Sequence, residues 1–300
     1  MDIVELQHIY AGHPNAKALA AEWENPSVRT VFLGGLHTSA SPLFFSALVK
    51  EQSHTFVFIL SDLEEAGYFY HDLVQINGDA EVLMFPSSYR RAIKYGQKDA
   101  AYEILRTEVL SRLQKQEKVC VVTYPDALAE KVVSQKDLAG NTLQVEVGQC
   151  IGTDVLVDRL LDDGFQQVDY VYEPGQFALR GSIVDVFSFA SEYPYRIDFF
   201  GDEVDSVRTF EVETQLSKEK KQSVSIIPEL TAMEGGEYVS FFDFLPQDTI
   251  LGMKDFLWIR ERIETIHGEA VSPLAVAADA EREAELSDIG NHLIDGTDFT

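Results

Sequence analysis

The plainest candidate for phosphate chemistry is the stretch Gly34-Gly35-Leu36-His37-Thr38-Ser39-Ala40-Ser41. A phosphate-cradling loop uses glycines so that backbone N–H groups approach the phosphates. It adds a lysine to neutralise them and a serine or threonine to reach magnesium. Counted from Gly34, the second glycine position holds Ser39 and the lysine position holds Ala40, so only Ser41 keeps the required type. The frame is there without its cation, and ATP binding is expected to be badly weakened. The later apolar run Val119–Tyr124 ends without an adjacent acidic pair to hold a metal. The seven histidines are scattered, with no pair at metal-ligand spacing; His37 and His71 are expected to be ordinary surface or satisfied side chains. No Gly-x-Ser-x-Gly elbow occurs. Glu64-Glu65 and Asp162-Asp163 are adjacent in sequence, so on a helix each pair points apart. No catalytic residue, metal or cofactor is expected.

A second group of polar side chains alternates with apolar ones in Gln176–Phe187 and Tyr195–Arg208. Arg196 and Asp198 are two residues apart and share a face of a strand. Arg180 is expected on a neighbouring strand, brought alongside by the turn from Ser188 to Pro194. An arginine fork on a sheet face has two uses. It can pair across strands with Asp185 or Asp198 and hold the register. It can also present planar, bidentate donors to a partner's carboxylate. The residues alone favour the first use. Phe177, Phe187 and Phe199 are expected in the core.

These groups need elements to position them. A helix over Asn15–Glu24 precedes the apolar run Val31–Gly35, expected as a strand, and a helix over Pro42–Lys50. Thr55–Leu60 is expected as a buried strand. Ser61 or Asp62 then caps a helix that runs to Ile76 and stops at Asn77-Gly78. Further strands are expected at Glu81–Pro86 and Val119–Thr123, with helices over Ala100–Gln116 and Pro125–Val133. Strands alternating with helices predict a doubly wound parallel sheet. The period then changes. A strand over Thr142–Val147 and a helix over Thr153–Asp163 lead to consecutive strands at Tyr170–Glu173, Gln176–Phe187, Tyr195–Phe200 and Val204–Phe210, an antiparallel sheet in an α+β region. Lys218–Lys221 is expected as a solvated loop. Thr249–Met253 and a helix over Asp255–His267 return to mixed signals.

Composition narrows the partners. The chain has 300 residues, 45% hydrophobic, enough for sizeable cores. Its 50 acidic and 24 basic residues leave a net charge of −26, which repels phosphate backbones. The best local exception, Tyr89–Tyr95 with Arg90, Arg91 and Lys94, is expected to be a solvated turn. The acidic start Met1–Glu5 is unlike a secretory signal, and no apolar run is long enough to span a bilayer. Cys120 sits in an apolar strand pattern as a core thiol, far in sequence from Cys150. A cytoplasmic protein without membrane contact is expected.

Phe177-Ala178-Leu179-Arg180-Gly181, Asp185-Val186-Phe187, Arg196 through Ser206, Thr214-Gln215 and Ile226-Ile227-Pro228 resemble, in order and spacing, the UvrB-homology module of the transcription-repair coupling factor family. Over residues 1–140 the resemblance rests on element order and on Phe85-Pro86-Ser87-Ser88-Tyr89. It implies an α/β fold in which a degenerate P-loop NTPase-like domain, residues 1–128 and 227–300, is interrupted by an inserted α+β domain, residues 129–226. It implies UvrA as the partner and Arg180, Arg196 and Asp198 as docking residues. Gln167 and Ala178 stand where UvrB carries further arginines. The alternative is a UvrB-like, ATP-dependent DNA helicase fragment that binds damaged DNA. Ala40 argues against it, as does the span from Ser87 to Ala100, too short for UvrB's tyrosine-rich hairpin. The resemblance also implies an amino-terminal fragment that is no enzyme by itself and meets RNA polymerase and DNA only through domains beyond these residues.

Overall fold

A computed structural model describes residues 3–50, 54–78, 81–88, 100–230, 236–270 and 293–294. The basic stretch Tyr89–Tyr95 and most of the acidic end beyond Ala277 lie outside the described residues. Along the chain the elements are α1 (Ile3–Gly12), α2 (Pro14–Trp23), α3 (Ala40–Val49), β1 (Phe56–Ile59), α4 (Leu63–Asn77), β2 (Val82–Met84), α5 (Ala100–Gln114), β3 (Cys120–Thr123), α6 (Pro125–Leu128), β4 (Val132–Val133) and α7 (Gln135–Gly140). There follow β5 (Leu143–Glu146), α8 (Thr153–Asp162), β6 (Gln166–Gln167), β7 (Gln176–Arg180), β8 (Ile183–Val186), β9 (Tyr195–Phe200), β10 (Glu203–Phe210), β11 (Ser217–Lys221), β12 (Ser223–Ile226), β13 (Tyr238–Val239), β14 (Ile250–Met253) and α9 (Phe256–Ala270). The chain divides into two compact units. The first comprises residues 1–87, 115–131 and 240–300; the second comprises 88–114 and 132–239.

The first unit is built on a parallel four-stranded sheet in the order β14-β1-β3-β2. Its strands are short and apolar on both faces, as a sheet covered by helices requires. In α4 the Asp62 side chain accepts from the Glu65 N–H, and the Glu65 carboxylate accepts from the Ser61 N–H. Gly78, with φ 95°, ends that helix in a conformation that side-chain-bearing residues avoid. Aromatic rings seal one side of the sheet: Trp23 and Phe69 lie 5.1 Å from Phe56 and Phe58 respectively, and Phe45 lies 4.8 Å from Phe58. Gly252 on β14 makes room for this column, since a Cβ there would sit 2.6 Å from a Phe58 ring carbon. Cys120 is buried as expected, and burial pushes its thiol pKa up.

The second unit is dominated by a six-stranded sheet in the order β11-β10-β9-β8-β7-β6, antiparallel except for the β6–β7 pair. One face packs on α8, β5 and β12 through Phe177, Val184, Val186, Ile197, Phe199 and Leu156. Of the four apolar residues expected on the inner side of α8, Leu156 and Leu160 are fully buried, whereas Val155 and Leu161 face solvent. The remaining two strand pairs are β5–β12 and β4–β13.

Several expectations need correction. No strand forms over Val31–Gly35; Val31 and Leu33 are exposed and Phe32 is 93% exposed. The helix expected over Pro125–Val133 stops at Leu128 and gives way to β4, because Val132 and Val133 pair with β13. Tyr170–Glu173 is not a strand; β6 takes the edge position instead. Gln176–Phe187 is a hairpin rather than one strand, because Gly181 at φ 62° turns the chain back after Arg180. Lys218–Lys221 lies in edge strand β11 rather than a loop. Its lysines suit an exposed edge, where charge discourages pairing with another chain.

Candidate functional site

Two regions carry the residues singled out by type and spacing. The first is the turn before α3, inside the first unit. Ser39 is the N-cap of α3 but makes no side-chain cap bond, and Ala40 opens the helix. Gly35 has φ 87° and Thr38 has φ 48°. The N–H of Ala40 donates to the His37 carbonyl at 3.1 Å, and that of Ser41 donates to the Thr38 carbonyl at 3.2 Å. A phosphate cradle needs such amides to point outward at an anion. Here those two are engaged by the turn itself, and no lysine side chain stands at the Ala40 position.

The second region is the face of the six-stranded sheet opposite α8. Strand register decides what lies on it. Ala178, Asp185, Arg196, Arg208 and Lys220 oppose one another in succession across β7, β8, β9, β10 and β11. Cross-strand partners share a face, so these five side chains form one transverse row. Asp198 and Ile183 form the next pair along, with Arg180 opposite Ile183. Arg180 and Asp198 are therefore not on adjacent strands as expected: β8 lies between them. A small apolar cluster of Val171, Ala178, Phe187 and Phe210 closes part of this face.

Asp185 is the hub. Its side chain is only 1% exposed. Arg196 grips it with two donors, Nε to Oδ1 at 2.7 Å and Nη2 to Oδ2 at 2.8 Å. Arg180 donates to Oδ2 as well. The Asp185 carboxylate pushes the Arg196 pKa above its ordinary value, against the opposing effect of burial. Arg196 also donates to the Gln215 carbonyl at 3.1 Å and lies 4.4 Å from the centre of the Phe210 ring. Its guanidinium is thus committed within the fold.

Arg180 is arranged differently. It gives one group to Asp185, lies 5.1 Å from the centre of the Tyr170 ring, and keeps 34% of its side chain exposed. Asp198 pairs with neither Arg180 nor Arg196. It accepts from Arg208 at 3.2 Å and from Ser182 at 3.4 Å, and is 29% exposed. The three expected residues do occupy one face, but only Arg180 and Asp198 offer open polar surface. Sequence reasoning missed Arg208. A bulge between Val204 and Ser206 breaks the period-two pattern of β10 and hides which of its residues share a face.

Among the described residues, no cluster of histidine, cysteine and carboxylates could hold a metal, and no helix is long and apolar enough to cross a membrane. The Asn141–Glu229 groove beside α8, about 460 Å³, is lined in part by Asp162, Asp163 and Glu229.

Residues 143–231 match the UvrB interaction domain family. The chain is 32% identical over 196 residues to the transcription-repair-coupling factor of Bacillus subtilis (strain 168). It is 27% identical over 198 residues to that of Escherichia coli (strain K12), and 28% identical over 198 residues to that of Haemophilus influenzae. Each match covers 65% of this chain and 17% of the relative, so the chain aligns with about a sixth of the length of these proteins. The charged face lies wholly within the matched residues, and over residues 143–231 the chain is similar to the UvrB interaction domain family, as it is to the transcription-repair-coupling factors.

Proposed function

We propose that this chain is a non-catalytic adaptor that recruits UvrA, and that in the whole protein it links a stalled RNA polymerase to nucleotide excision repair. The observation that carries the proposal is that Arg180 and Asp198, each about a third exposed, flank the pairing of buried Asp185 with Arg196 within the residues that match the UvrB interaction domain family. A fully paired, rigid hub with open charged groups beside it suits a polar and specific interface, because the groups offered to the partner are already oriented. Arg196 belongs to the hub and acts by positioning; Arg180 and Asp198 make the contact. RNA polymerase and DNA are met through other parts of the whole protein.

The first unit fits the same reading. Its parallel sheet, with a phosphate-loop position lacking lysine and with amides bonded to their own turn, is a degenerate P-loop NTPase-like domain that scaffolds rather than hydrolyses. On this reading the NTPase-like domain spans residues 1–128 and 227–300, taking in residues 88–114 and 227–239 beyond the first unit, with residues 129–226 as the UvrA-docking insert. The test is calorimetric titration of purified UvrA with the 300-residue chain. Saturable binding is expected, and Asp198→Ala should weaken it. No heat at tens of micromolar of either protein would overturn the proposal.

A further inference from the structure

The transverse row on the outer face places three cations side by side: Arg196, Arg208 and Lys220 oppose one another directly on β9, β10 and β11. Like charges directly opposed across strands are destabilising. The carboxylates on this face do not cancel them. Asp185 is occupied by Arg180 and Arg196, and Asp198 takes one bond from Arg208. Along the strands of this face Arg180, Arg196, Arg208 and Lys220 stand against Asp185 and Asp198, a local excess of cations in a chain of net charge −26. Arg208 is only partly satisfied, because its Nε is buried with no hydrogen-bond partner. On β11, Lys221 bonds Glu219 and Lys218 lies 3.7 Å from the centre of the Tyr193 ring. Lys220 is exposed and has no ion pair among the described residues.

We infer that Arg208 and Lys220 extend the docking face to the sheet edge, and that they receive an acidic helix of the partner protein with carboxylates at positions i and i+4. The spacing supports this occupant. Neighbouring strands lie about 4.8 Å apart, so cross-strand residues present their charges at nearly the separation of helix positions i and i+4, about 5–6 Å. Arg208 meets one carboxylate beside its own bond to Asp198, and Lys220 meets the next as a point charge. The inference rests on the UvrA-docking reading above and names the chemistry of the surface that UvrA must bring.

The experiment compares the chain with the double variant Arg208→Gln and Lys220→Gln, titrating UvrA at two salt concentrations and recording thermal melting. The variant is expected to bind UvrA about tenfold more weakly or worse, with a shallower salt dependence. Its melting temperature should change little, because relief of the opposed cations offsets loss of the partly exposed Arg208–Asp198 pair. Unchanged UvrA binding by the folded variant overturns this inference alone. Weaker binding that merely follows a lowered melting temperature also overturns it, by making the pair structural. Absence of UvrA binding by the unaltered chain overturns the docking reading and this inference with it. Titration with a short DNA duplex is the control: binding by the unaltered chain that the variant loses would show that the row reads phosphate, and the acidic-helix assignment would fall.

Discussion

The turn at Gly34–Ser41 and the face around Asp185 both carry the residue types of a functional site, yet they dispose of their polar groups in opposite ways. At the turn, the amides of Ala40 and Ser41 bond back to His37 and Thr38. No basic side chain waits at the Ala40 position, and the apolar run before it is exposed rather than held in the sheet. On the antiparallel face a buried carboxylate orders two arginines, and Arg180 and Asp198 stay partly exposed around it. A motif's outline therefore says little until its donors are traced. On the proposed docking reading, the satisfied centre fixes the geometry and the exposed groups around it supply the contact.

The comparison breaks most severely at the hub. Arg196→Ala removes both strong donors from a carboxylate that is 1% exposed, and should cost about 3–5 kcal/mol of stability in urea unfolding. An unchanged midpoint would mean that Asp185 is not the centre of the face. In the first unit the sensitive position is away from the turn. Gly252→Ala drives a Cβ to 2.6 Å from the Phe58 ring, and overpacking of this kind costs about 1–3 kcal/mol. A variant as stable as the parent would show that the aromatic column yields freely.

Arg180→Ala sharpens the division between centre and surroundings. Asp185 keeps its two bonds from Arg196, so stability should fall by no more than about 1 kcal/mol, as for a partly exposed pair. UvrA binding should weaken by about 1–3 kcal/mol, the usual loss for a charge-assisted contact. A variant that melts markedly earlier but binds UvrA normally would move Arg180 from the contact into the hub. The smallest effect is expected at the turn: millimolar ATP should leave the melting temperature of the unaltered chain where it was. A saturable upward shift that Ser41→Ala abolishes would mean that the turn still binds nucleotide.

Much of this was legible in the sequence. The buried strands β1, β2 and β3 follow from short apolar runs, and α4 from Asp62, Glu65 and Gly78 at its ends, because these signals act over a few residues. The same holds for Cys120 in the core, for the missing lysine at Ala40, and for the charged alternation that carries the family resemblance. Sequence alone did not reveal that Val31–Leu33 stays out of the sheet, or that Val132 and Val133 leave a helix for a strand. Apolar runs this short suit either state, and only the available partner decides. Nor did it reveal which arginine is committed. Arg180 and Arg196 both flank Asp185 in the chain. The hairpin at Gly181 and the order β7-β8-β9 bring both onto one carboxylate and leave Asp198 to Arg208. Side-chain identity is local, whereas cross-strand register is set by turns, a bulge and the burial of the opposite face, and that register is what the tertiary structure alone decided.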